Sequence, residues 1–255
     1  MTPAEITPVI LTFNEEANIT RTLESLHWVE SVIVLDSGST DDTEWICRSN
    51  PRVQWHTHPF QSFAHQWNHA ITLVPTPWML ALDADYFLTP AFINELRLLE
   101  VPETVHGFKI PFRYCIHGHP LKNSLLPPRI TLFRPASTHV VKDGHTQTFI
   151  VQGHVKAFQE PVWHDDRKPF SRWWSSQEKY ADMEVEKLFH TPWSELRIQD
   201  KLRKFILPAP PAVLFFTLFH KGCFFGGKAG WIYTGQRVLA ESLLSFKLLI
   251  AWLRA

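Results

Sequence analysis

The stretch Trp78-Met79-Leu80-Ala81-Leu82-Asp83-Ala84-Asp85-Tyr86 is an unbroken apolar run of strand length that ends on two carboxylates spaced i, i+2. Near-continuous hydrophobicity marks a parallel strand buried on both faces. Such a strand delivers its last residues to the carboxyl edge of the sheet, where open α/β folds bind ligands. Oxygen ligands in that arrangement suit a hard divalent cation, which in turn holds a diphosphate. Taken alone, an Asp-x-Asp reads better as a solvated turn. The segments that precede it change the balance.

Pro8–Phe13 is a short apolar strand followed by the polar turn Asn14-Glu15-Glu16, and Ala17–Trp28 places Ile19, Leu23 and Leu26 at helical spacing. Ser31–Leu35 is a second strand, and the loop Asp36–Thr43 after it ends in N-cap chemistry for a helix to about Ser49. Val53–His58 reads as a third strand and Gln61–Leu73 as a third helix, before Pro75 and Pro77 introduce the opening run. This alternation predicts an α/β fold with a mostly parallel sheet and helices on both faces. Beyond Leu99 the pattern turns to α+β, with strands expected at His106–Cys115, Arg129–Phe133 and Phe149–Phe158, forming one wall of a cleft. Phe170–Phe189 reads as an amphipathic helix.

At 255 residues and 45% hydrophobic, the chain can bury a large core. Its 25 basic and 25 acidic residues balance, so no global field recruits nucleic acid. Cys47, Cys115 and Cys223 form no CxxC pair, which speaks against a zinc site or disulfide framework and fits a reducing compartment. Met1–Pro8 has neither a basic stretch nor an apolar core, so no signal peptide is expected. No apolar window reaches membrane-spanning length. The expected location is cytoplasmic, with peripheral attachment to the inner face of the cytoplasmic membrane.

Composition shifts after residue 204, which divides the expected domains into 1–204 and 205–255. Leu207–Pro211 reads as a hinge, Ala212–Phe219 is almost wholly apolar, and Trp231–Leu253 reads as a helix. Its stripe Leu239, Leu243, Phe246, Ile250 and Leu253, with Arg237, Lys247 and Arg254 nearby, suits packing on the first domain or a helix lying in a membrane interface.

Three polar loops follow apolar strands: Thr12–Glu16, Asp36–Thr43 and Asp83–Asp85. In a doubly wound sheet they share one carboxyl edge, a place for a nucleotide. Asp36 is suited to accept hydrogen bonds from a base or ribose, with Thr12 and Glu15 lining the same pocket. The three motifs Pro8–Glu16, Val32–Thr43 and Leu82–Asp85, in this order and spacing, resemble the family 2 glycosyltransferases of GT-A fold across residues 5–90. More narrowly, the chain resembles the bacterial lipopolysaccharide core glycosyltransferases of the WaaE type. Phe63–Ala70, with Asn68, then matches the helix before the metal strand, and Lys221–Gly235 that branch's C-terminal Gly-rich region. The resemblance implies a nucleotide-diphosphate sugar donor, a glycan or glycolipid acceptor, a Mg²⁺ or Mn²⁺ ion, and inversion at the anomeric carbon. It places Thr12, Asn14, Glu15 and Asn68 in the donor pocket, Asp36 at the base, and Asp83 with Asp85 at the ribose and metal-bound diphosphate.

Inverting transfer also needs a base for the acceptor hydroxyl. Where the narrower pattern has a His-Glu pair, this chain has Thr146-Gln147, and an amide cannot take a proton. Asp143 is the substitute, with His145 behind it and Asp165 or Asp166 next. In Trp163–Lys168, His164 is placed to complete the metal sphere, and Arg167 and Lys168 to bind the diphosphate or acceptor; Asp165 or Asp166 also suits a helix cap. The competing readings are a nucleotidyltransferase, which would open with a Gly-rich basic loop absent from Thr12–Glu16, and a catalytically silent nucleotide-sugar binder or membrane scaffold.

Overall fold

A computed structural model describes residues 1–122, 127–143 and 146–254; the side chains of Asp143 and Thr146 are outside that description. The chain divides into two compact units, Met1–Cys115 with Ser124–Arg167, and Ile116–Asn123 with Lys168–Ala255.

The first unit contains strands β1 (Ile6–Thr12), β2 (Val32–Asp36), β3 (Val53–Thr57), β4 (Trp78–Asp83), β5 (Tyr86–Phe87), β6 (Val105–Ile110) and β7 (Phe112–Ile116, whose last residue belongs to the second unit). The two-residue β8 (His119–Pro120) lies in the second unit, and the first resumes with β9 (Arg129–Phe133), β10 (Thr138–Asp143), β11 (Thr146–Val151), β12 (His154–Ala157) and β13 (Val162–His164). Its helices are α1 (Ile19–Ser25), α2 (Thr43–Arg48), α3 (Phe63–Leu73) and α4 (Pro90–Leu98).

The main sheet has the order β12-β6-β9-β4-β1-β2-β3. β1, β2, β3 and β4 run parallel, and β9 alone lies antiparallel to its neighbours β4 and β6. The alternating side chains of a strand point to opposite faces, and the core divides accordingly. Ile6, Ile10, Val32, Val34, Leu80 and Leu82 meet α1 and α4 on one face, while Val9, Ile33, Leu35, Met79 and Ala81 meet Ala64, Trp67 and Ala70 of α3 on the other. Burial on both faces explains the unbroken apolar runs. The expected α/β class is borne out.

Two expected strands are divided. His106–Cys115 breaks at Pro111, which has no N–H for a ladder, giving β6 and β7. Phe149–Phe158 breaks at Gly153, whose φ of +133° is open to glycine and whose missing Cβ leaves room for the His106 ring. The result is β11, paired antiparallel with β10, and β12 at the edge of the main sheet. A separate small sheet pairs β13 with β5 and with β7, bringing His164 level with Tyr86 and Tyr114.

The second unit holds α5 (Phe170–His190), α6 (Ile198–Lys204), α7 (Ala209–Phe215) and α8 (Gly227–Arg254). Pro210 and Pro211 lie in the first turn of α7, where their lost N–H groups cost nothing. Ala181 and Leu188 of α5 pack with Leu196 and with Leu244 and Leu248 of α8. The buried line of α8 therefore runs through Glu241, Leu244, Ser245 and Leu248 rather than the expected stripe, of which Leu239, Phe246 and Leu253 are exposed. Glu241 is buried because Arg203 meets it through two hydrogen bonds, at 2.8 and 3.1 Å. Gly230 of α8 passes so close to the Cys223 carbonyl that an added Cβ would sit 2.1 Å from its oxygen.

Candidate active site

The parallel register brings the strand ends together. Thr12 pairs with Asp36 across β1 and β2, and Leu11 with Asp83 across β1 and β4. Asp36 is only 2% exposed, and its carboxylate accepts four hydrogen bonds: Oδ1 from Thr12 Oγ1 (2.8 Å) and Ser39 Oγ, Oδ2 from the Gly38 and Ser39 amides (2.8 and 2.7 Å). It anchors the loop that follows it.

The first and second loops are stitched together residue by residue. Asn14 adopts a left-handed conformation (φ 56°) that asparagine tolerates better than most side chains. Its amide donates to Ser39 Oγ (2.8 Å) and its Oδ1 accepts from the Thr40 amide (2.8 Å). The Glu15 amide donates to Thr43 Oγ1 (2.7 Å), and the Glu16 amide to Asp41 Oδ2 (3.1 Å). Thr12, Asn14, Glu15 and Asp36 thus form one constellation. Asn68 stands apart from it, clasping the edge of β10 by donating to the Val140 carbonyl (2.8 Å) and accepting from the Val140 amide (2.9 Å).

Asp83 and Asp85 flank the β4–β5 turn. His164 Nε2 lies 2.9 Å from Asp85 Oδ2, and its ring meets Tyr86 and Tyr114 edge-on. Burial works against a charged imidazole, but the attraction and hydrogen bond of Asp85, helped by Asp83 and Asp166, outweigh it, so His164 titrates above its ordinary value. Burial, then the neighbouring Asp85 charge, raises the pKa of Asp83, against the opposing hydrogen bond from the Tyr86 hydroxyl. Among the described residues, no three His, Cys, Asp or Glu side chains form a finished metal cage.

Asp83 and Tyr86 also line a cavity of about 370 Å³, together with Lys109, Arg129 and Gln147. Gln147, standing where the resemblance has an acid, therefore shares a cavity with Asp83. The side chain of Asp143 and the whole of His145 lie outside the described residues.

Sequence reading missed the device that holds His164 in place. Asn18 is 1% exposed and has all four amide positions in use: Nδ2 donates to Glu15 Oε2 (3.0 Å) and Asp166 Oδ1 (2.9 Å), while Oδ1 accepts from Arg21 (2.9 Å) and the Arg167 amide (2.9 Å). Arg21 and Arg167 both bond the buried carboxylate of Asp165, at 2.7 and 2.9 Å, and the Asp165 amide donates to the Asp85 carbonyl (3.0 Å). The start of α1 thereby ties the first loop to the segment carrying His164. Arg167 is part of this strap, and Lys168 opens the second unit.

Residues 7–105 match glycosyl transferase family 2. The resemblance read from the three motifs is borne out over that segment. The lipopolysaccharide core biosynthesis glycosyltransferase LpsC of Rhizobium meliloti (strain 1021) is 30% identical over 115 residues, 43% of this chain and 43% of that protein. An uncharacterized glycosyltransferase of Rickettsia felis is 34% identical over 97 residues, 37% of this chain and 34% of that one. The chain thus spans less than half the length of the curated relatives it matches. Among solved structures, glucosyl-3-phosphoglycerate synthase from Mycobacterium tuberculosis in complex with phosphoglyceric acid superposes with a TM-score of 0.47. That match is 16% identical and covers 70% of this chain and 78% of that one. The family 2 segment contains both stitched loops and the Asp83/Asp85 turn; His164, Arg167 and the β10–β11 wall lie beyond it.

Proposed function

We propose that this protein is an inverting glycosyltransferase that moves a sugar from a nucleotide-diphosphate donor to a glycan or glycolipid acceptor of the bacterial envelope, of the lipopolysaccharide core kind. The observation that carries the reading is the meeting of Thr12, Asp36 and Asp83 on one carboxyl edge, with Asp85 bonded to His164 beside them. The family match over residues 7–105 and the relation to LpsC support the reaction class.

Thr12, Asn14, Glu15 and Asp36 form the donor pocket, with Asp36 acting through the backbone it holds. Asp83, Asp85 and His164 supply two carboxylates and one imidazole, a donor set that fits Mg²⁺ or Mn²⁺. Mg²⁺ is ordinarily held by one or two carboxylates together with substrate phosphates rather than by an all-protein cage, so the absence of a finished cage is consistent with this assignment. When bound, such an ion neutralises charge on the departing nucleoside diphosphate. Arg167, with Lys168, serves the diphosphate or acceptor. Asp143 remains the proposed base, with His145 the next candidate, and Asn68 acts by fixing β10 at Val140.

The test is a panel of nucleotide sugars screened by thermal shift, with and without Mn²⁺, on the wild type and on Asp85→Ala. A donor that binds only the folded state raises the melting temperature by mass action. The expected result is a metal-dependent rise for one donor, absent in Asp85→Ala. An equal rise without metal, or in the variant, refutes the metal assignment; no rise with any donor refutes the donor site.

A further inference from the structure

The second unit carries an aromatic surface that its own core does not use. Phe215 ends α7, Phe219 lies in the π-helical turn Phe216–His220, Phe224 and Phe225 in the 3₁₀ turn Cys223–Phe225, and Trp231 in the first turns of α8. Their rings touch in series: Phe215 to Phe219 (6.1 Å), Phe219 to Phe224 (5.9 Å), and Phe224 to both Phe225 (5.1 Å) and Trp231 (5.6 Å). All five are exposed, Phe225 to 73%. Single exposed aromatics are ordinary, but a contiguous set marks an interaction surface.

The surface is stiff. The Lys221 amide donates to the Phe216 carbonyl (2.9 Å), the Gly226 amide to Cys223 (2.9 Å), and Thr234 Oγ1 to Gly230 (2.8 Å). The Gly230–Cys223 approach locks α8 against the turn. Little loop freedom remains to be lost when these rings enter another phase.

Charge identifies the partner. No acidic residue occurs between Asp200 and Glu241, a stretch that contains Lys221, Lys228 and Arg237. Lys221 lies 5.6 Å from the Phe216 ring and Lys228 is exposed at the start of α8. Protein–protein interfaces are depleted in lysine. Aromatic rings with flanking lysines and no carboxylates are instead the composition of a segment lying in the headgroup region of a bilayer. No described helix is long and apolar enough to cross one.

We infer that the Phe215–Trp231 surface docks the protein on an anionic lipid bilayer, with the aromatics in the interface and Lys221, Lys228 and Arg237 facing the headgroups. This deepens the glycolipid-acceptor reading by naming the surface that brings the enzyme to its acceptor. It differs from the expected α8 stripe from Leu239 to Leu253, because the docking face runs from the end of α7 through the turn to the first turns of α8.

The test is sedimentation of the full chain with vesicles of phosphatidylcholine alone or with phosphatidylglycerol, in the absence of nucleotide sugar. Binding to the anionic vesicles is expected, falling with salt. Lys221→Gln with Lys228→Gln should weaken it about 25-fold, at about fivefold for each charge near the membrane surface. Phe219→Ser with Phe225→Ser, both at exposed positions, should weaken it at least tenfold while leaving the melting temperature within about 2 °C. Absence of binding, binding indifferent to both variants, or concentration-dependent self-association removed by the Phe substitutions would each overturn the proposal. A failure here leaves metal-dependent donor binding to be judged independently by thermal shift.

Discussion

Asn18→Asp keeps the size and shape of the side chain, yet changes two of its four contacts from attraction to repulsion. Oδ1 continues to accept from Arg21 and the Arg167 amide. The former amide nitrogen, 3.0 Å from a Glu15 oxygen and 2.9 Å from an Asp166 oxygen, becomes a second anionic oxygen. At an effective dielectric constant of about 20, each like-charge contact at that distance costs about 5 kcal/mol. Arg21 offsets one of them. The other is relieved by taking up a proton, and protonating a carboxyl of ordinary pKa about 3.9 at pH 7 costs about 4 kcal/mol, which sets the ceiling. At pH 5 the same uptake costs about 1.5 kcal/mol. With 1 kcal/mol corresponding to about 2–4 °C in a domain of this size, the variant should melt about 8–16 °C below wild type at pH 7 and about 3–6 °C below it at pH 5. Circular-dichroism melts at both pH values measure this, with Asn18→Ala as a variant whose deficit does not depend on pH. An Asn18→Asp protein as stable as wild type at pH 7, or with the same deficit at pH 5, would show that Asn18 does not bind the two carboxylates together.

The remaining expectations concern charge and packing. His164 titrates above its ordinary 6.5, so its contribution to stability is full below that value and is lost as pH rises through the folded pKa. His164→Gln should therefore destabilise the metal-free protein more at pH 6 than at pH 8.5; equal losses in melting temperature would rule out the Asp85–imidazolium pairing. Gly230→Ala places a methyl group 2.1 Å from the Cys223 carbonyl oxygen and should cost about 1–3 kcal/mol. Gly235→Ala, in the same helix with nothing within 4 Å, should gain about 0.5–1 kcal/mol. Denaturant titration of the pair reads both, and equal effects would refute the close approach. Glu241→Ala removes two hydrogen bonds of Arg203, which keeps Glu184 and Asp200, and should cost about 1.5–3 kcal/mol, measured the same way; a loss under about 0.5 kcal/mol would mean the pair is not buried in solution.

What was legible in the sequence follows from how far apart the interacting residues lie. β4 was plain because its neighbours on both faces are apolar, and its carboxylates mark the sheet edge. β1 and β2 were found to within two residues for the same reason; β3, a half-exposed edge strand, and α3 were found as closely without it. Gly153 and Pro111 broke two expected strands through local backbone chemistry that an apolar run masks. Asn18 passes unremarked inside the expected helix Ala17–Trp28 because its partners, Asp166 and the Arg167 amide, are 148 and 149 residues away. Asp36 reads as a base or ribose contact; that its carboxylate also anchors its own loop is not legible, because an exposed carboxylate and a wrapped one have the same local sequence.

Those separations bear on how the site comes into being. Contacts this distant in sequence form late, because closing long loops precedes any reward from the contact. A chain emerging from the ribosome presents the two stitched loops and the Asp83/Asp85 turn well before His164 and Asp165 exist to close over them. Asp85 is thus made early and meets its His164 partner last, whereas Asp36 is wrapped by its own loop at once. The strap can hold His164 beside Asp85 only once synthesis has passed residue 167, which ties this pairing to near-completion of the first unit.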